Sequence, residues 1–140
     1  MARGQVKEHS YETIILESHL DTLGHVNNAV YLELFEEARW DFITRGGYGL
    51  KEVQERKQGP IILEVNVRFS RELHLRDKIK ITSKLVSLTG KIGKLEQIVY
   101  NGAGEESAKA LFTMGFFDLK ARKLIAPTPE WLKAGGWDKL

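Results

Sequence analysis

With 140 residues the chain has the length of one domain, and its 21 basic and 19 acidic side chains are interspersed, so the net charge of +2 offers no broad field to nucleic acid or an anionic membrane. The absence of cysteine excludes disulfides, thiolate metal sites and a cysteine nucleophile, and it fits a cytoplasmic protein. No run of about 18 apolar residues occurs and the first eight residues lack a signal-peptide core, so a soluble protein is expected.

After a polar lead, Tyr11 to Glu17 reads as a β-branched strand that runs into a polar loop around Asp21. Tyr31, Leu34, Phe35, Ala38 and Phe42 then recur at three- and four-residue spacing, which predicts a helix from Asn28 to about Arg45, stopped by Gly46-Gly47. Val30, Leu32, Trp40 and Ile43 spread its apolar surface beyond one stripe, so burial on several sides under a wrapping sheet is expected. Residues 46–59 read as a loop with a short helical turn around Lys51 to Arg56.

From Pro60, the residues Ile61, Leu63, Val65, Val67 and Phe69 alternate with Ile62, Glu64, Asn66, Arg68 and Ser70, predicting a long, half-buried strand. Further strands follow at about 77–88, 92–101 and 106–118, and the four together predict an antiparallel meander. Thr89-Gly90-Lys91 and Asn101-Gly102-Ala103-Gly104 supply the turns, and Thr128-Pro129 reads as a cap and first residue of a short terminal helix. One helix about 10 Å wide cannot cover five strands about 24 Å across, so a homodimer or homotetramer is expected to cover the remaining apolar face.

Chemistry concentrates in Asp21-Thr22-Leu23-Gly24-His25-Val26-Asn27-Asn28, where a carboxylate stands just ahead of a helix start whose amides carry partial positive charge. Carboxylates are ionised at neutral pH, so Asp21 is suited to activating water or attacking a carbonyl that those amides polarise. The plainer reading of Asp21 is an Asx-turn or capping residue, and His25 reads equally as a loop histidine bonded to main chain. His19, Asp21 and His25 lack a fourth ligand for a metal, so neither metal nor cofactor is expected.

This segment, followed by Tyr31 and by Glu36-Glu37-Ala38-Arg39, resembles the signature of the hotdog-fold acyl-CoA thioesterases. The similarity is to the branch with 4-hydroxybenzoyl-CoA thioesterase and the bacterial long-chain and YbgC-like thioesterases. The resemblance implies an α+β hotdog fold, with a five-stranded antiparallel sheet wrapped around one long central helix, in a single domain over residues 1–140. The core would lie at about 9–118, with 119–140 as a C-terminal extension. It also implies hydrolysis of an acyl-CoA to a free carboxylic acid and CoA, with Asp21 as general base or nucleophile and a main-chain amide at or beside Asn28 as oxyanion donor.

On that reading Gly24, His25, Val26, Asn27, Tyr31 and Phe69 surround the substrate, while Arg68, Arg71, Lys91 and Lys94 are the candidate cations for CoA phosphates. The sequence departs from the family pattern at Glu72 and Arg76, where relatives often carry proline and glycine. The alternative reading is a non-catalytic hotdog protein that senses or carries acyl-CoA. A hotdog dehydratase fits less well, because its histidine and acid arrangement is absent.

Overall fold

The computed structural model describes residues 8–140, so the polar lead Met1–Lys7 read from the sequence lies outside the described residues. In chain order the elements are β1 (His9–Ile14), α1 (Asn28–Arg45), α2 (Leu50–Arg56), β2 (Gln58–Phe69), β3 (Lys78–Thr89), β4 (Ile92–Tyr100), β5 (Glu106–Asp118), β6 (Lys123–Ile125) and α3 (Pro129–Gly135). The strands form one antiparallel sheet ordered β1-β3-β4-β5-β2, with the short β6 beside β5. Leu34, Phe35, Ala38 and Phe42 of α1 share one buried cluster with Ile81, Leu95, Val99, Ala110 and Phe112 of the sheet. This is the wrapped helix that the sequence predicts. Among the described residues no helix is long and apolar enough to cross a membrane.

The end of α1 follows from its last residues. The Tyr48 N–H donates to the Ile43 carbonyl and the Gly47 N–H to that of Thr44, each at 3.0 Å, while Gly47 takes φ +100. This is a Schellman stop, in which only glycine adopts the left-handed position without cost. Gly46 has a different reason to be glycine, because a Cβ there would overlap the Ala134 carbonyl oxygen of α3. Since a backbone atom cannot rotate away, Gly46→Ala is expected to lose about 3 kcal/mol and to release α3, read as a lower urea midpoint with altered tryptophan fluorescence.

The four later strands do not follow one another as a simple meander. β3, β4 and β5 do, through turns with Gly90 at φ +60 and Gly104 at φ +80, but β2 lies beyond β5 and β1 takes the place beside β3. The cause is the link at residues 70–77, which is no hairpin. The Ser70 and Arg71 N–H groups both donate to Ser107 O on β5, whereas the Arg76 N–H donates to Ile15 O just past β1, so the link crosses from one sheet edge toward the other. Arg76 holds φ +65, a left-handed conformation that glycine adopts at less cost than a residue with a Cβ.

β2 is also not half buried as its alternation predicts. A bulge at Leu63 breaks the register between Ile62 and Glu64, so Pro60 and Ile62 lie opposite the core residues Phe116 and Met114, while Val65, Val67 and Phe69 lie opposite Phe112, Ala110 and Ala108. Leu63, Val65 and Phe69 remain 46%, 36% and 44% exposed, although the Phe69 ring meets Tyr31 of α1. Likewise Leu32 on α1 is 39% exposed, so the burial on several sides expected of the helix is incomplete in one chain. At the other end the core extends past residue 118, since Trp131 and Trp137 are buried within it. Thr128 caps α3 and Pro129 opens it, as the sequence predicts.

Candidate active site

The Asp21 loop is a miniature hairpin. A bridge joins Leu20 to Val26, the Asp21 N–H donates to His25 O at 3.1 Å, and the Gly24 N–H donates to Asp21 O at 3.1 Å with Gly24 at φ +85. Asp21 Oδ1 accepts the Leu23 N–H at 2.8 Å, so the local turn role of this carboxylate is present in the structure. One oxygen in a turn leaves the other available, and the side chain is half buried. His19 is committed locally too, its Nδ1 accepting the Leu16 N–H at 2.8 Å.

Asn27 then caps α1, with Oδ1 accepting the Ala29 N–H at 2.8 Å and its carbonyl accepting from Val30 and Tyr31 at 3.0 and 3.3 Å. The Asn28 N–H is left without a protein acceptor among the described residues. It is therefore an available donor at the positive end of an 18-residue helix.

Asn28 opens on a cleft of about 250 Å³ that also brings together His25, Val26, Tyr31, Phe69 and Arg71, which lie apart in the sequence. Tyr31 forms its floor. Its ring meets Phe69 edge-on at 5.1 Å, and its hydroxyl lies 3.0 Å from Ser107 Oγ and donates to Arg71 O at 3.3 Å. Ser107 Oγ in turn donates to Arg71 O, which fastens the start of the 70–77 link to the helix. Burial holds the Tyr31 hydroxyl above the usual phenol range, so it stays protonated and serves as a tie.

Asp21, Gly24 and Asn27, which the sequence reading sets at the same site, are not among the residues that line this cleft. The Arg71 guanidinium is held by Glu105 at 3.3 Å and by Glu106 O at 3.1 Å. Lys91 and Lys94 are not brought to the cleft within one chain. Lys94 lies opposite Thr113, about five rungs along β5 from Ala108 and Phe69, roughly 17 Å away, because antiparallel pairing sends the β3–β4 turn to the other end of the sheet. Arg68 lies opposite Lys109, one position out of phase with the pairs that face α1, and so belongs to the other face of the sheet.

A buried polar network goes unnoticed in the sequence. Gln97, 0% exposed, donates from Nε2 to Phe35 O at 3.0 Å and to Ser83 Oγ at 2.9 Å, and its Oε1 accepts from Arg39 Nη1 at 3.0 Å. Burial pulls the Arg39 guanidinium down to about 10, still charged at neutral pH, and its Cζ stands 4.3 Å over the Phe112 ring. A signal was available: Gln97 occupies the core phase of its strand, between Leu95 and Val99.

The family model described as the thioesterase-like superfamily matches residues 15–136. The long-chain acyl-CoA thioesterase FadM of Escherichia coli K12 is 38% identical over 109 residues, covering 77% of this chain and 82% of that protein. The crystal structure of YbaW, a probable thioesterase from Escherichia coli, superposes with a TM-score of 0.78 at 33% identity over 90% of this chain and 95% of its own. The fold alone is shared with the hypothetical protein SAV2348 of Staphylococcus aureus, solved in complex with CoA, at a TM-score of 0.87 and 17% identity over 98% and 87% of the two chains.

Proposed function

Since the chain belongs to the thioesterase-like superfamily and is a thioester hydrolase with the hotdog fold, we propose that it splits an acyl-CoA into a carboxylic acid and CoA, using Asp21 and the Asn28 main-chain N–H. The observation that supports the site assignment is the amide without a protein acceptor on Asn28, a residue that lines the cleft and follows the Asp21 hairpin in the chain. A thioester carbonyl seated there would place its developing oxyanion on the Asn28 N–H, and donors of this kind are worth roughly 3–4 kcal/mol of barrier. Asp21 would then either deprotonate the attacking water or attack the carbonyl itself, releasing the CoA thiolate and leaving a mixed anhydride for water to open.

His25, Val26, Tyr31 and Phe69 surround the acyl carbonyl on this reading, Gly24 and Asn27 set the loop, and Arg71 at the cleft is the cation placed to meet a phosphate. FadM carries the name of a long-chain acyl-CoA thioesterase, which supports a fatty acyl group. The test is a thiol-release screen over short, long, branched and aromatic acyl-CoA and over acyl carrier protein thioesters. At least one fatty acyl-CoA should turn over. Calorimetric binding of acyl-CoA without thiol release from any of them would favour a sensor or carrier and defeat this reading.

The assembly follows from β2. Its outer edge has no strand partner among the described residues, and Phe69 at the cleft, with Val65 and Leu63 further along the strand, presents apolar surface, so a second copy covering this strand would reach the cleft. Light scattering should give at least twice the 15.9 kDa of one chain, and Val65→Lys should move the mass toward a single chain. A wild-type mass of one chain would remove the proposed homodimer or homotetramer.

A further inference from the structure

The cleft at Asn28 is one end of a longer trough. On α1, Asn28, Leu32, Glu36, Arg39 and Ile43 follow at three- and four-residue spacing and so share one stripe of the helix. Asn28 lines the cleft, whereas Glu36, Arg39 and Ile43 line a second cavity of about 270 Å³. On β2, Phe69 lines the cleft and Pro60 and Ile62 line the second cavity, all three on the face that pairs with core residues of β5. Between the two ends lie Leu32 and Val65, 39% and 36% exposed, and α1 packs most closely on β1, β3 and α3 rather than on β2. The same stripe of α1 and the same face of β2 thus run from the cleft into the cavity.

The C-terminal segment walls the cavity. Trp131 and Trp137, both buried, stack at 5.5 Å, Trp131 meets Phe116 at 5.1 Å, and the Ala134 carbonyl of α3 closes on Gly46 at the end of α1. Of the two charged residues in the lining, Glu36 is exposed and Arg39 has its guanidinium engaged by Gln97 and the Phe112 ring. Every other lining residue is apolar. Measured along α1, the cavity extends from roughly 12 Å to roughly 22 Å beyond Asn28, the positions of Glu36 and Ile43 at the rise of a helix. An extended hydrocarbon advances about 1.3 Å per carbon, from the C–C bond length and the tetrahedral angle, so it enters after about 9 carbons and spans the cavity by about 17.

We propose that an unbranched acyl chain lies along this trough with its methyl end in the cavity, so that Ile62, Met114 and the two C-terminal tryptophans set its length at about 12–16 carbons. The inference rests on the placement of the acyl carbonyl at Asn28 in the proposed reaction. Chains below about 9 carbons stop short of the cavity, and chains beyond about 17 meet its end. Each methylene buried between those limits strengthens binding by up to about fourfold.

The experiment is calorimetric titration of the full chain with S-(2-oxoalkyl)-CoA analogues of about 6 to 20 carbons, below their self-association concentrations, beside kcat/KM for the matching acyl-CoA series. These thioethers keep a carbonyl but cannot be hydrolysed, so binding is read whether or not the chain turns over. Affinity should rise by at least about tenfold between about 8 and 16 carbons and rise no further at about 18 and 20. Ile62, partly buried, is the residue to change. Ile62→Trp, which fills the cavity, should remove that rise and leave the analogue of about 8 carbons within about twofold of wild type, while Ile62→Ala should carry the rise on to about 18 carbons. A merely structural role would move all lengths together.

An affinity independent of length, the result expected if a second copy of the chain fills the trough, would overturn the assignment. So would a rise that continues to about 20 carbons, or an Ile62→Trp series that matches wild type or weakens equally at every length. Thiol release with a flat binding series would defeat the trough and spare the proposed hydrolysis, whereas a stepped series without thiol release would do the reverse. Circular dichroism checks the fold of each variant, and Met114→Phe takes the place of Ile62→Trp if that variant does not fold.

Discussion

Asp21→Asn should lower kcat for acyl-CoA hydrolysis by about 10²–10⁴-fold, the usual worth of a positioned base, while its urea midpoint stays near that of wild type. The reason the two readouts separate is local. Asparagine keeps an Oδ1 to accept the Leu23 N–H at 2.8 Å, so the hairpin that joins Leu20 to Val26 survives, but an amide neither takes a proton from water nor attacks a thioester. Asp21→Ala removes the turn bond as well and should lose stability along with activity. Asn28→Ala, in contrast, retains the main-chain N–H and should change kcat by less than about tenfold, because the donor belongs to the backbone. Wild-type thiol release by Asp21→Asn, with mass spectrometry excluding deamidation, would end the proposed role of this carboxylate.

Gln97→Leu should cost about 3 kcal/mol, lowering the melting temperature by roughly 10 °C in a domain of this size. Leucine fills the space, yet it takes the acceptor from Arg39 and the donors from Ser83 and the Phe35 carbonyl in the middle of the core. Most of the loss comes from a guanidinium left over Phe112 with no hydrogen-bond partner. The double variant Gln97→Leu with Arg39→Met should therefore be more stable than Gln97→Leu alone. A double variant less stable than the single one would show that the penalty arises from packing and not from the stranded charge.

Much of the fold is legible in short windows. Asn28–Arg45 as helix, Gly46-Gly47 as stop and Thr128-Pro129 as the opening of α3 are all found where the sequence predicts them, because caps and stops depend on a few consecutive residues. The cleft is legible in part. Asn28, His25, Val26, Tyr31, Phe69 and Arg71 line one cleft, whereas Asp21, Gly24 and Asn27 do not line it and Lys91 and Lys94 sit beyond reach in one chain, and no window of sequence reports which end of a sheet a turn occupies. The alternation of β2 misleads for a similar reason: a one-residue bulge at Leu63 changes which residues face the helix, and nothing near Leu63 announces it.

The residues by themselves determined every element governed by neighbours three or four positions apart, and they placed a carboxylate before the amides of a helix start. Only the tertiary structure decided that β2 lies beyond β5, that Gln97 on β4, itself bonded to Ser83 on β3, accepts from Arg39, and that Trp131 lines a cavity against α1. Local hydrogen bonds and dihedral preferences act within a turn of chain, while strand order, register and the pairing of buried polar groups are settled by how distant segments bury their apolar faces together.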